Sequence, residues 1–178
     1  MSELKTSIVD YALQNVGNLE VAFETYMAYN DICSQLSKDV LFKLKERLEK
    51  SLGAENWIYP DINSPERNGI TFLIKSSKWT NETAFGIKDF SDVDRACFAV
   101  QTNEENKQSL FSKINEENPG KITGFGWWTR LDSPFNRWNE SFEGLESIYN
   151  SNNFLDYAES HILNLSRIID KYFYPEGS

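Results

Sequence analysis

The chain has 178 residues, of which 40% are hydrophobic, 14% aromatic and 25% charged, a composition that disfavours disorder and predicts a sizeable core. Its net charge of −9, from 27 acidic and 18 basic residues, disfavours direct binding of nucleic acid unless a local basic patch exists. No apolar run reaches the ~20 residues of a membrane span and no signal-peptide pattern opens the chain, so we expect a cytoplasmic protein without membrane contact.

Residues 1–53 are predicted to be helical, because apolar residues recur at every third or fourth position. A break is predicted near Asn30 and Asp31, where two polar residues interrupt this pattern. The clearest apolar stripe follows the break and consists of Leu41, Leu44, Leu48 and Leu52. Gly53 comes directly after this stripe and is the predicted C-terminal cap of the helix.

Residues 56–131 change to the alternating pattern that is typical of strands. The predicted strands lie at 56–60, 69–75, 82–90, 95–102 and 121–131. Short connections favour antiparallel neighbours, because a parallel crossover needs about a dozen residues or more. A helix at about 103–117, opened by a capping box from Thr102 to Glu105, is predicted before the last strand.

The tail is predicted to form two helices, at about 139–150 and 153–173. The apolar stripe of the longer helix consists of Leu155, Ala158, Ile162, Leu165, Ile169 and Tyr172. Together with the preceding elements, these helices predict a single α+β domain over 1–178. Its mostly antiparallel sheet of four to five strands would be covered by the N-terminal and C-terminal helices.

The segment GFGWWTRLDSPFNRW at 124–138 holds three of the five tryptophans of the chain. Neighbouring residues in a strand point to opposite faces, so Phe125 and Trp127 are predicted to share one face and Trp128 to point to the other. One of the two tryptophans can then pack against helices in the core, and Trp128 is the candidate contact residue. Two glycines of the same strand would leave a flat patch beside Trp128, which is suited to a partner side chain, a base or a sugar. In the alternative, the tail helices cover this patch, with Phe135 and Trp138 as lids.

The negative charge is concentrated in the tail, where residues 131–178 hold eight acids and three bases. The acids are predicted to form one surface that attracts a protein partner with a basic surface, possible examples being nucleic-acid-binding proteins. A solvated helix face explains the same residues. The candidate partner-binding residues are Trp128, Trp138, Asp132, Glu140, Glu143, Glu146, Asp156 and Glu159.

No catalytic or metal-binding signature is found in the sequence. His161 is the only histidine, and Cys33 and Cys97 are expected to be buried free thiols, so a zinc site is not predicted. The acids of DFSDVD at 89–94 could hold a divalent ion, but a turn between two strands explains the same residues. We therefore expect no catalytic residue, no metal ion and no cofactor.

Three aromatic segments follow one another along the chain: NWIYP at 56–60, AFGIKDF at 84–90 and GWWTRLDSPFNRW at 126–138. In their order, and over roughly residues 40–173, they resemble the C-terminal accessory region of bacterial and phage PD-(D/E)XK nuclease-superfamily proteins. The acid-x-Lys triplet of the nuclease core is missing from the candidate strands, which carry LIK and GIK instead. Glu105-Asn106-Lys107 fits the triplet but falls at a predicted helix start. The resemblance therefore implies an accessory or partner-binding module and no nuclease activity.

These observations predict a non-enzymatic acidic binding protein that acts by protein–protein contact. One concrete form is a phage-type inhibitor or modulator of a nucleic-acid-handling defence protein, in the manner of an anti-CRISPR protein. The first alternative is an accessory or catalytically inactive module related to PD-(D/E)XK nucleases. The second is a single-strand-binding or small-ligand-binding module that uses the aromatic patch at Trp128.

Overall fold

The computed structural model describes residues 3–62, 70–79, 82–91, 95–124 and 126–173. Over these ranges the chain forms five α-helices and a six-stranded sheet, which confirms the predicted α+β class with one strand more than expected. Two compact units are distinguished, Met1–Gln35 and Leu36–Ser178. None of the helices in the described part of the chain is long and apolar enough to cross a bilayer.

The first unit contains α1 (Glu3–Ala12) and the beginning of α2 (Val16–Leu52). Two asparagines hold the turn between the helices. The side-chain oxygen of Asn15 accepts the backbone N–H of Asn18 at 2.9 Å, as an N-cap does. The amide of Asn18 in turn donates to the carbonyl of Tyr11 at 2.9 Å, near the end of α1.

The helix break predicted near Asn30 and Asp31 is wrong, because α2 runs through both residues. Both side chains are exposed. Their intrinsic helix propensity is lower than that of alanine by only about 0.7 kcal/mol per residue, which a long helix tolerates. The predicted end of this helix is confirmed, since Gly53 follows Leu52 with a φ of 78°.

The second unit is built on a sheet in which every neighbouring pair of strands is antiparallel. The spatial order is β1-β2-β3-β4-β6-β5, so β1 and β5 form the two edges. The strands are β1 (Trp57–Ile58), β2 (Phe72–Ser76), β3 (Ala84–Lys88), β4 (Cys97–Gln101), β5 (Lys121–Ile122) and β6 (Trp127–Arg130).

The last predicted strand, 121–131, is in fact a hairpin made of β5 and β6. The backbone N–H and the hydroxyl of Thr123 both donate to the carbonyl of Gly126, at 2.8 and 3.0 Å. Gly126 also packs closely on β4, since a Cβ there would lie 2.5 Å from the carbonyl oxygen of Val100. The alternating sequence pattern is the same for a hairpin as for one strand, so it did not reveal the reversal.

The helix between the fourth strand and the hairpin, α3 (Lys107–Glu117), begins later than predicted. The capping box is wrong, because Asn106 occupies the N-cap position and makes no side-chain cap. The hydroxyl of Thr102 lies 2.7 Å from that of Thr83 and accepts the N–H of Glu104 at 3.1 Å. Thr102 thus belongs to the strand end beside it and not to the helix.

The two tail helices are confirmed as α4 (Phe142–Tyr149) and α5 (Asn152–Phe173). The core of the second unit lies between α5 and one face of the sheet. The indole N–H of Trp79 donates to the carboxylate of Asp170 at 2.8 Å, which ties α5 to the segment after β2. Fully buried residues of this core include Leu41, Leu44, Phe72, Ile74, Phe85, Ile87, Phe98, Val100, Ile162, Leu165 and Ile169.

Candidate functional site

The two neighbouring tryptophans of β6 point to opposite faces of the sheet, as predicted. Trp127 pairs with Val100 and is fully buried. Trp128 pairs with Ala99 and is half-buried on the face that α5 does not cover. Phe125, which was expected to share the face of Trp127, lies outside the described residues.

The face that carries Trp128 forms a trough across the middle of the sheet. One row of register partners runs through Leu73, Gly86, Ala99 and Trp128, from β2 to β6. Cavities of about 380 and 520 Å³ lie on this face and share Gln101 in their linings. We call this surface the trough; its defining residues are Leu73, Lys75, Ala84, Gly86, Lys88, Cys97, Ala99, Gln101, Trp128 and Arg130.

The floor of the trough is low because its central residues are small. Gly86 has a φ of 146°, and a Cβ there would lie 2.2 Å from the carbonyl oxygen of Phe72. This close approach leaves no room for a side chain between β2 and β3. The neighbouring residue in the row is Ala99, so no large side chain stands between Leu73 and Trp128.

Among the described residues that line the smaller cavity of the trough, the cations outnumber the acids. Lys88, Arg95 and Arg130 line it, and Asp89 is the one acid among them. A further cation lies at the aromatic end, where the ammonium of Lys121 is 5.1 Å from the centre of the Trp128 ring. The trough is therefore locally basic in a chain whose net charge is −9.

Two of the predicted partner-binding acids form ion pairs within the second unit. Asp156 and Glu159, one helical turn apart on α5, both pair with the guanidinium of Arg47 on α2. The Arg47–Glu159 separation is 3.6 Å, and Glu159 also accepts the hydroxyl of Ser51 at 2.5 Å. These two acids hold α5 to α2, so much of their charge is already compensated.

The remaining predicted acids are exposed. Glu140 pairs with Arg137 at 3.4 Å, and Glu143 and Glu146 lie on α4. Asp132 precedes the short helical turn before α4, and its backbone N–H donates to the hydroxyl of Tyr157 at 2.8 Å. The structure brings Asp156 and Glu159 together, whereas it gives no contact among the other four.

Trp138 is among the predicted partner-binding residues, but its side chain lies in the core, where a partner cannot reach it. Its side chain is fully buried and stacks on Phe90 with ring centres 5.6 Å apart. Its indole N–H donates to the carbonyl of Phe90 at 3.0 Å. In the sequence, Trp138 lies in an aromatic segment that has no regular alternation. The pattern therefore does not show whether its side chain is buried or exposed.

The first unit presents an exposed apolar surface that is not among the predicted partner-binding residues, all of which lie between 128 and 159. Five apolar side chains of α2, each more than half exposed, fall within about 100° of the helix circumference. We call them the N-terminal strip: Val16, Leu19, Phe23, Tyr26 and Met27. Three exposed acids, Glu20, Glu24 and Asp31, occupy the adjacent ~60° of the same helix.

Burial in the first unit is low throughout. Among the side chains described between 5 and 35, only Cys33 is buried. The apolar spacing of this segment is visible in the sequence and predicts a helix whose apolar side covers the sheet. Periodicity gives the position of an apolar stripe and does not show what covers it.

His161 lies at the edge of the core and stacks on Phe98, with ring centres 4.5 Å apart and planes 6° from parallel. Burial lowers its pKa below the usual value, while the charge of Asp132 and a hydrogen bond that the imidazole donates to the backbone of Tyr157 act in the opposite direction. The neutral imidazole is therefore the form that the folded chain favours.

The lowered pKa of His161 predicts a loss of stability on mild acidification. The unfolded chain binds this proton more readily, so the contribution is complete above the unfolded pKa of about 6.5 and is lost as the pH falls below it. We expect the thermal midpoint to fall between pH 7.5 and about 6, before carboxylates titrate. His161→Phe keeps a stacked ring and should remove this part of the pH dependence; an unchanged slope would contradict the assignment.

Both cysteines are buried free thiols, as predicted. Burial raises the pKa of Cys97 to about 11, with Asp89 adding to the effect and Lys88 and Arg130 opposing it. This thiol is therefore protonated at neutral pH and is a poor nucleophile.

No group of three or more histidine, cysteine, aspartate or glutamate side chains that could hold a metal ion occurs within the described ranges. Of the acids in DFSDVD, Asp89 is buried with a φ of 54°. Asp92 and Asp94 lie outside the described residues, so the predicted choice between a turn and an ion site there stays open.

In comparisons with known proteins, no family model matches the sequence, and neither a curated protein nor a solved structure gives a match.

Proposed function

We propose that this chain is a non-enzymatic acidic binding protein that acts by protein–protein contact through the N-terminal strip. The observation that carries the proposal is an apolar strip next to an acidic one on the same exposed helix surface. The partner would offer an apolar helix or groove with basic residues along one side.

Apolar exposure in the first unit supports contact with another molecule. Large aromatic side chains such as Phe23 and Tyr26, 58% and 76% exposed, are enriched at the centres of protein interfaces. Contiguous exposed apolar patches are uncommon on monomeric proteins unless they bind something. An interface would bury the apolar side of α2 that the described chain leaves in water.

Charge supports a basic partner. Residues 1–35 hold five acidic residues and one basic residue, a net charge of −4. A basic partner would be attracted by this charge before contact, and the three acids beside the strip would then face its cations. The tail acids contribute less to this attraction than we expected from the sequence, because the single charge of Arg47 offsets part of the charge of two of them.

A basic surface bordered by apolar contacts is a property of many nucleic-acid-handling proteins. We therefore propose a nucleic-acid-binding protein as the partner class, with inhibition or modulation as the outcome, in the manner of phage-type inhibitors of CRISPR-like defence proteins. An accessory module of a PD-(D/E)XK protein would also act through contact, so that resemblance stays compatible with this proposal.

Loss of the strip should abolish partner capture. We expect Phe23→Ser/Tyr26→Ser to weaken binding by about 30-fold or more for each of the two anchors, since each aromatic anchor contributes about 2 kcal/mol or more. The measurement is pull-down from bacterial lysate at low and moderate salt, followed by mass spectrometry. The wild-type chain should enrich a basic protein that rising salt releases.

The matched control is Phe142→Ser/Tyr149→Ser, which removes two aromatic side chains of α4 that are 78% and 72% exposed. It should capture the same partner as the wild-type chain. Glu20→Gln/Glu24→Gln should bind more weakly and with less dependence on salt. Equal capture by the strip variant and the control would refute the proposal, as would the absence of any partner at both salt concentrations.

A further inference from the structure

The trough is a second exposed surface, and contact through the N-terminal strip leaves it unused. We propose that the trough binds a nucleotide unit, with the base stacked on Trp128 and the phosphate paired with Lys88 and Arg130. This ligand class combines a flat ring with an anion, which are the two chemistries that the trough presents. The proposal goes beyond protein–protein contact and does not depend on it.

The dimensions of the trough suit such a ligand. Adjacent strands lie about 4.8 Å apart, so the row from Leu73 on β2 to Trp128 on β6 spans about 14 Å. Between its ends stand only Gly86 and Ala99, which leave the floor low. The cavity beside Trp128 measures about 380 Å³, within the size range of small-molecule sites.

Trp128 supplies the stacking surface. It is half-buried, so its indole is held in place by the fold while part of the ring stays accessible. The ammonium of Lys121 lies over this ring, 5.1 Å from its centre, and belongs to a flexible side chain that a stacking base would displace. Stacking of a base on such a ring is tolerant of sequence, because every base has a π face.

The two phosphate ligands lie in the row next to that of Trp128. In the register of the sheet, Lys88 on β3 lies opposite Cys97 on β4, and Cys97 lies opposite Arg130 on β6. The two cations therefore flank Cys97, two residues along the strands from the row that contains Trp128. Two residues along a strand correspond to about 7 Å, a distance that a ribose can bridge between base and phosphate. A guanidinium has five N–H donors, so Arg130 can contact a phosphate while it keeps another partner.

An acidic peptide would fit the trough less well. Its carboxylates could pair with Lys88 and Arg130, but no part of a glutamate side chain needs the face of Trp128. A nucleotide uses both features at once. The net charge of −9 opposes any polyanion at long range, so binding should be strongest at low salt.

Titrations with three probes test the proposal: an oligothymidylate of about eight nucleotides, AMP, and a polyglutamate peptide. Tryptophan fluorescence and calorimetry at low salt give the affinities. Binding of the oligonucleotide alone identifies a single strand as the source of the nucleotide, and binding of AMP identifies a free nucleotide. Both outcomes support the proposal, whereas polyglutamate binding as tight as that of either nucleotide overturns it.

Two variants assign the contacts. Trp128→Ala and Lys88→Gln/Arg130→Gln should each weaken nucleotide binding by about tenfold or more, and the second should also flatten the salt dependence. The control for lost charge is Lys50→Gln/Lys171→Gln, which neutralises two exposed lysines outside the trough and should leave binding unchanged.

Circular dichroism melting shows whether each variant is folded. If Trp128→Ala does not fold, Lys88→Gln/Arg130→Gln decides alone, because it alters only partly or fully exposed cations. No saturable binding of oligonucleotide or AMP, or equal loss in the lysine control, overturns the proposal. Phe23→Ser/Tyr26→Ser should retain nucleotide binding, which separates this result from the test of partner capture.

Discussion

Gly86→Ala is expected to destabilise the second unit by about 3 kcal/mol or more. The added Cβ would lie 2.2 Å from the carbonyl oxygen of Phe72 and 3.4 Å from the Cα of Leu73. These are backbone atoms of β2, which cannot turn aside as the end of a flexible side chain can. The φ of 146° adds strain, since side chains other than hydrogen disfavour this conformation.

Gly124→Ala is the matched control, because its added Cβ meets no heavy atom within 4 Å. Urea unfolding followed by circular dichroism gives both free energies of unfolding, and the control should stay within about 0.5 kcal/mol of the wild-type chain. Equal losses in the two variants would mean that the close approach of β2 and β3 at Gly86 is not a constraint on the fold. A folded but weakened Gly86→Ala chain should also bind nucleotide less well, because the floor of the trough would rise.

Trp138→Ala is expected to cost about 4 kcal/mol of unfolding free energy. The change removes the ring stacked on Phe90 and the N–H donated to the carbonyl of that residue. Phe90 also contacts Phe154 of α5, with ring centres 5.0 Å apart. The cavity would therefore open where the segment after β3 meets the tail.

Two further variants separate the contributions of Trp138. Trp138→Phe keeps most of the apolar volume and leaves the carbonyl of Phe90 without its indole donor, so we expect an intermediate loss of about 1–3 kcal/mol. Trp128→Ala removes the same side chain from a half-buried site and should cost less than Trp138→Ala. Chemical unfolding measures all three, and a larger loss for Trp128→Ala would reverse the assignment of core and surface tryptophans.

Local sequence patterns predicted most of the fold. The stripe of Leu155, Ile162 and Ile169 gave α5 in full, and alternation separated Trp127 from Trp128. Both patterns depend on the geometry of one element, which a local window contains. The errors arose where one pattern fits two structures, as in the β5–β6 hairpin, or where weak helix formers lie within a long helix, as at Asn30.

The candidate sites were harder to predict, because they depend on residues that are distant in the chain. Lys88 and Arg130 come to flank Cys97 only through the register of β3, β4 and β6. Asp156 was expected to face a partner, but it meets Arg47, which lies 109 residues away. The N-terminal strip is visible as a periodic pattern, yet its exposure in the described part of the chain is not recorded by any local signal.

The sheet ends on both sides in strands of only two residues, β1 and β5. Such short edges offer few unpaired backbone groups, and β5 begins with Lys121, whose charge further discourages an incoming strand. An extended peptide would therefore gain little by joining the sheet as a seventh strand. Fibril-like growth through this sheet is disfavoured for the same reason, so the two edges offer little backbone for pairing with another chain.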